Sequence, residues 1–107
     1  ATVAAMLGAA GYSVGLNISP HLQRLNERVV VDGCPVSDEW LSEYALRVRS
    51  AALQAGVELS FYEAITAVAF IGFQDKGLDW AVMEVGLGGR LDASNVVSRP
   101  RVTAIVS

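Results

Sequence analysis

Apolar positions recur at helical spacing over some stretches of the chain and crowd into short β-branched runs over others, an alternation that predicts an α/β domain. Residues 1–10, Ala-Thr-Val-Ala-Ala-Met-Leu-Gly-Ala-Ala, read as a helix that stops at Gly11. Ser13 to Ile18 reads as a short strand, and Pro20 turns its exit, Ser19-Pro20-His21-Leu22, into a loop. Glu27 to Val31 reads as extended on the strength of three consecutive valines, and Asp32-Gly33-Cys34-Pro35 as a turn.

Ser37 is placed to cap a helix whose first turn carries Asp38 and Glu39 and whose apolar face is Leu41, Tyr44, Ala45, Val48 and Ala52, with Gly56 as its end. Ser60 and Glu63 have capping-box spacing and open a helix apolar on most sides through Ile65, Val68, Ala69, Phe70 and Phe73. That helix is expected to be largely buried, with Phe61, Phe70 and Phe73 in the core. After Lys76-Gly77, strands are expected over Asp79 to Val85 and Val102 to Val106. About three strands are too few to bury helices on both faces of a sheet. The expected architecture is therefore one incomplete three-layer α/β domain, with a mostly parallel sheet and flanking helices.

The composition narrows the class. Of 107 residues, 52% are hydrophobic, which suits a buried sheet and argues against intrinsic disorder. A formal net charge of −3 with scattered Lys and Arg offers no basic stripe, so neither nucleic acid nor a membrane is an expected partner. The one cysteine, Cys34, cannot form an internal disulfide, and a cytoplasmic setting follows as the default. The apolar run Ala64 to Phe73 is about half of the ~20 residues that span a bilayer. The helical start has neither a cap nor an initiator methionine and reads as a chain cut inside a helix.

Candidate chemistry concentrates where the run Asp79-Trp80-Ala81-Val82-Met83 gives way to Glu84-Val85-Gly86-Leu87-Gly88-Gly89-Arg90-Leu91-Asp92-Ala93-Ser94-Asn95. An acid at that point emerges at the carboxyl edge of a parallel sheet, where open α/β domains bind ligands, and a carboxylate there can hold magnesium beside phosphates. Each piece also has a plain structural reading. Glycines after a strand turn the chain, Arg90 and Asp92 could form a surface ion pair of little worth, Ser60 with Glu63 caps a helix, and His21 could simply pack.

Ser19-Pro20-His21-Leu22, Asn26-Glu27-Arg28, Ser60-Phe61-Tyr62-Glu63 and the Glu84 to Asn95 segment follow one another in an order that resembles folylpolyglutamate synthase and dihydrofolate synthase, of the Mur ligase superfamily. The resemblance covers essentially the whole chain, and Ser94 stands where threonine is usual. It implies that residues 1–107 are part of a P-loop-type ATP-binding domain. The family's glycine-lysine phosphate loop is expected before Ala1, its histidine after Ser107, and its modified lysine and C-terminal domain elsewhere. The fragment alone is expected to be inactive.

The resemblance further implies a parent enzyme that uses ATP and Mg2+ to activate a carboxylate of folate or dihydropteroate as an acyl phosphate, which the amine of glutamate then attacks. Glu84 would be the catalytic metal-holding carboxylate, with Ser19 beside the same metal and Thr2 at the edge of the nucleotide site. His21 and Arg28 would shape the folate or pteroate pocket; Gly88, Gly89 and Arg90 would form the turn beside the reacting carboxylate, with Asp92 and Asn95 orienting it. The parent is expected to be a monomer. Two alternatives stand beside this reading: another Mur-type amino-acid ligase, and a noncatalytic α/β interaction module.

Overall fold

A computed structural model describes residues 1–106. Its elements run α1 (Thr2–Ala9), β1 (Val14–Asn17), a 3-10 turn (Leu25–Arg28), β2 (Val29–Val31), β3 (Cys34–Pro35), α2 (Asp38–Ala55), α3 (Phe61–Lys76) and β4 (Trp80–Met83). The strand order is β3-β2-β1-β4. β1 and β4 pair in parallel, while β1 with β2 and β2 with β3 are antiparallel, so the sheet is mixed.

The pleat sorts the side chains into three layers. Gly15 lies so close to Phe73 of α3 that an added Cβ would stand 2.7 Å from the ring. Gly15 pairs with Val31 and Asn17 with Val29, which puts these residues on the α3 side. Val29 is fully buried there in one cluster with Val36, Tyr44, Val48, Ile65, Val68, Ala69 and Phe73. The opposite face presents Val14, Leu16 and Val30 to α1, across a groove of about 660 Å³. α2 packs behind α3, and Tyr44 and Val48 are its buried residues.

Caps set the helix limits. The Ser37 hydroxyl accepts from Trp40 N–H, and α2 ends at Gly56 in the left-handed conformation, φ +68°. Ser60 and Glu63 form the expected reciprocal box: the Ser60 hydroxyl accepts from Glu63 N–H at 3.2 Å, and the Glu63 carboxylate accepts from Ser60 N–H at 2.8 Å.

The structure departs from the sequence reading at four places. Glu27 and Arg28 belong to the 3-10 turn rather than to a strand, because the Glu27 carboxylate is drawn to the N–H groups of Leu22, Gln23 and Arg24. Only Asp32-Gly33 turns, with φ +48° and +82°, and Cys34–Pro35 is already the returning strand. Phe61 is 58% exposed and Phe70 is only half-buried outside the core cluster, so of the three phenylalanines Phe73 alone is a core residue. Residues 102–106 form no strand: no neighbour among the described residues pairs with them, and Ile105 and Val106 are exposed.

Candidate functional site

The parallel pair β1–β4 ends with Asn17 opposite Met83, and the next residue on β4's side is Glu84. Glu84 N–H donates to the Asn17 carbonyl at 2.9 Å, and Ser19 N–H donates to Glu84 Oε2 at 2.9 Å. The carboxylate is thus tied to the loop leaving β1 while its residue stays exposed at the carboxyl edge of the sheet. Ser19, whose peptide bond to Pro20 is cis, sits beside it.

That loop is braced from within. Glu27 accepts from Leu22 N–H at 2.8 Å, Arg24 N–H at 2.9 Å and Gln23 N–H at 3.1 Å. These bonds, Leu22's first and Arg24's next, hold its carboxyl below the usual range. Asn26, buried, donates to the Val36 carbonyl at 2.7 Å and to Asp38 Oδ1 at 2.9 Å, tying the 3-10 turn to the start of α2. Arg28 Nε donates to His21 Nδ1 at 2.8 Å, and the Arg28 guanidinium lies 5.2 Å from the centroid of the Phe61 ring. The structure therefore joins His21 and Arg28.

The glycine segment is organised by Asp92. Its Oδ1 accepts from Gly86 N–H and Leu87 N–H, both at 3.1 Å; its Oδ2 accepts from Ser94 N–H at 2.9 Å, the Ser94 hydroxyl at 2.6 Å and the Tyr62 hydroxyl at 2.9 Å. Burial would raise the Asp92 pKa, but the bonds from the Ser94 hydroxyl, the Ser94 and Leu87 N–H groups and Tyr62 outweigh it and hold the carboxyl at about 2. Burial first, and then the bond to Asp92, pushes the Tyr62 hydroxyl upward. Gly86 is pressed into this arrangement: an added Cβ would lie 2.8 Å from Tyr62 Cζ and 3.0 Å from Asp92 Oδ1.

Gly88 and Gly89 take φ of +69° and +92°, which explains the glycines as turn residues. Asn95 donates to the Arg90 carbonyl at 2.9 Å and so closes the loop. Arg90 forms no ion pair with Asp92; among the described residues the ion pairs are Arg24 with Asp38 and Arg47 with Asp75. Thr2 lies exposed in the first turn of α1, with no hydrogen bond joining it to Glu84 among the described residues. Tyr62 carries no site role in the sequence pattern, where Ser94 stands out only as a departure from threonine. The Asp92-Ala93-Ser94 spacing was the available signal, since an aspartate often accepts from the N–H two residues on.

A carboxylate fixed at the carboxyl edge of a parallel strand pair, with a glycine turn behind it, places the chain among the open α/β domains that take ligands at that edge. No protein-family model matches the chain. The Escherichia coli dihydrofolate synthase/folylpolyglutamate synthase is 41% identical over 96 residues, which cover 90% of this chain and 22% of that protein. The Yersinia pestis bifunctional folylpolyglutamate synthase/dihydrofolate synthase with Mn, AMPPNP and L-glutamate bound superposes with a TM-score of 0.85 at 40% identity, over 90% of this chain and 23% of that one. An FPGS–AMPPCP–folate complex gives a TM-score of 0.82 at 39% identity, over 89% of this chain and 24% of that one. The chain is therefore a homologue of the folylpolyglutamate synthase/dihydrofolate synthase proteins, and it spans between 13% and 26% of the length of the curated relatives it matches.

Proposed function

We propose that this segment belongs to an ATP-dependent ligase that joins glutamate to folate or dihydropteroate, and that it supplies the metal-side edge of the active site within a partial ATP-binding domain. The observation that carries the reading is the Glu84 carboxylate, held by Ser19 N–H at the carboxyl edge of the β1–β4 pair. The relatives' bound Mn, AMPPNP and L-glutamate, and folate in another, support it. A cytoplasmic monomer fits the reading, as does the finding that no helix among the described residues is long and apolar enough to cross a membrane.

The donor set suits magnesium. Glu84 offers a carboxylate with one oxygen pinned by an N–H, Ser19 offers a hydroxyl, and both are the hard oxygen donors that Mg2+ prefers. An ion at that edge would take its remaining ligands from phosphates and water. Bound there, the cation would offset the negative charge crowded around a transferring phosphoryl group. The residues of this chain orient: Ser19 N–H fixes the Glu84 carboxylate, and Asp92 holds the backbone of Gly86 and Leu87 in one conformation beside it. Gly88, Gly89 and Arg90 are assigned to the turn facing the acceptor carboxylate, Asn95 to closing it, and Thr2 to the nucleotide edge.

Glu84→Gln in the full-length protein is the test. The amide keeps an oxygen to accept from Ser19 N–H but loses the charge that holds the cation. The expected result is an intact fold with magnesium-dependent ligation down by at least about 100-fold, the scale on which removal of one electrostatic stabiliser acts. Turnover within a fewfold of the unsubstituted protein would sink the assignment.

A further inference from the structure

His21 and Arg28 are both half-buried, and the bond between them has a chemical direction. The Arg28 Nε always carries its proton, so at 2.8 Å the His21 Nδ1 must be the acceptor and the ring proton must sit on Nε2. Every part of the arrangement is anchored. The Arg28 carbonyl accepts from the Asn17 side chain at 2.9 Å and from Ile18 N–H at 3.1 Å, and Asn17 is only 3% exposed. The guanidinium rests on the Phe61 ring, and Glu27 gathers the three N–H groups that follow His21. Among the described residues no acceptor is bonded to His21 Nε2.

We propose that Arg28 is a positioning residue: it holds His21 as an Nε2–H donor, and that donor, rather than the guanidinium, addresses an acceptor oxygen of the substrate, a carboxylate or carbonyl. The substrate part rests on the ligase reading above; the tautomer part does not. A planar guanidinium that donates to the imidazole and lies over a phenyl ring cannot be replaced by a lysine ammonium, which has neither the fork nor the flat face.

Two measurements on the full-length protein test it. In 15N-histidine-labelled protein, with the His21 signals identified by their loss in His21→Gln, the ring is expected to show a proton on Nε2 and a hydrogen-bonded, unprotonated Nδ1. Arg28→Ala is expected to move the Nδ1 resonance toward that of a free imidazole nitrogen, and Arg28→Lys not to restore it. A protonated Nδ1, or an Nδ1 signal indifferent to Arg28→Ala, overturns the assignment.

The second measurement is a double-mutant cycle on steady-state kinetics. Arg28→Ala should raise the KM for the folate or pteroate acceptor about fivefold, the scale of one net hydrogen bond, leaving kcat and the KM for ATP within about twofold. His21→Gln keeps an N–H donor at a similar reach but has no Nδ1 for Arg28 to hold. In that background Arg28→Ala should add nothing further. Additive effects would make Arg28 an independent contact and refute the proposal. If the protein ligates no glutamate while Nδ1 responds to Arg28→Ala as stated, the ligase reading falls and the tautomer assignment stands.

Discussion

Asp92→Asn offers the sharpest check on how the glycine segment is held. The carboxylate accepts two N–H bonds on Oδ1, and one N–H and two hydroxyl bonds on Oδ2. An amide is isosteric but can accept on one side only, and its NH2 then faces donors on the other. Hydrogen bonds to a charged group are each worth about 1.5–3 kcal/mol, and a mismatched buried donor costs about as much, which bounds the loss from above. The pKa supplies a second measure. A fall from 3.8 to about 2 corresponds to at most ~2.4 kcal/mol at 1.36 kcal/mol per unit, reduced to about 1–2 kcal/mol because the residue is partly exposed.

The sign follows from the direction of the shift. Because the folded-state pKa is depressed, the contribution is complete above about pH 4 and is lost as pH falls toward about 2. Urea unfolding of the unsubstituted chain and the Asn variant at matched pH should therefore show a stability gap of about 1–2 kcal/mol near neutrality, shrinking through about pH 3. Taking the difference between the two proteins cancels the other carboxylates that titrate in the same range. Amide exchange at Gly86, Leu87 and Ser94 should accelerate in the variant. A gap below about 0.5 kcal/mol, or one of constant size down to pH 2, would refute the claim that Asp92 organises the loop as an ionised acceptor.

Two other substitutions probe the frame around the site. Gly72→Ala would drive a Cβ into the Trp40 indole, where α2 and α3 pack; the expected cost is about 1–3 kcal/mol of unfolding free energy, and an unchanged Tm would show that the two helices can separate freely. Ser60→Ala removes one half of the capping box and should cost about 1 kcal/mol by urea unfolding, whereas a variant as stable as the original would show the cap to be redundant.

The helix limits were legible because local chemistry decides them. Ser37, Gly56 and Ser60 with Glu63 carry their meaning within four residues, and the structure uses each as the sequence suggests. The place of Glu84 at the sheet edge was legible too, since an acid after an apolar strand emerges there, although β4 is an edge strand none of whose residues is buried. What could not be read is long-range. Glu27 is drawn from an extended run by N–H groups that only the folded loop presents, and the partner Tyr62 gives to Asp92 lies 30 residues away. Phe61 looked like core because its neighbours are apolar, yet it stands at the first residue of α3, ahead of the buried face that begins at Ile65. The valine-rich stretch 102–106 shows the same limit, because β propensity makes a strand only where another strand lies alongside.

The first turn of α3 unites the two halves of the site. Phe61 lies under the Arg28 guanidinium, which bonds His21 on the loop after β1; its neighbour Tyr62 bonds Asp92, which gathers the backbone of the glycine segment after β4. Successive residues on a helix point about 100° apart, so one turn can brace two loops on different sides. The Ser60–Glu63 box fixes where that turn begins, and the buried Ile65 and Thr66 just beyond it fix its roll against the sheet. The capping pair that sequence reasoning sets aside as purely structural is therefore the common support of both candidate loops. A disturbance there should loosen His21 and the Gly86–Leu87 backbone together, whereas a disturbance at Asp92 should reach the glycine segment alone.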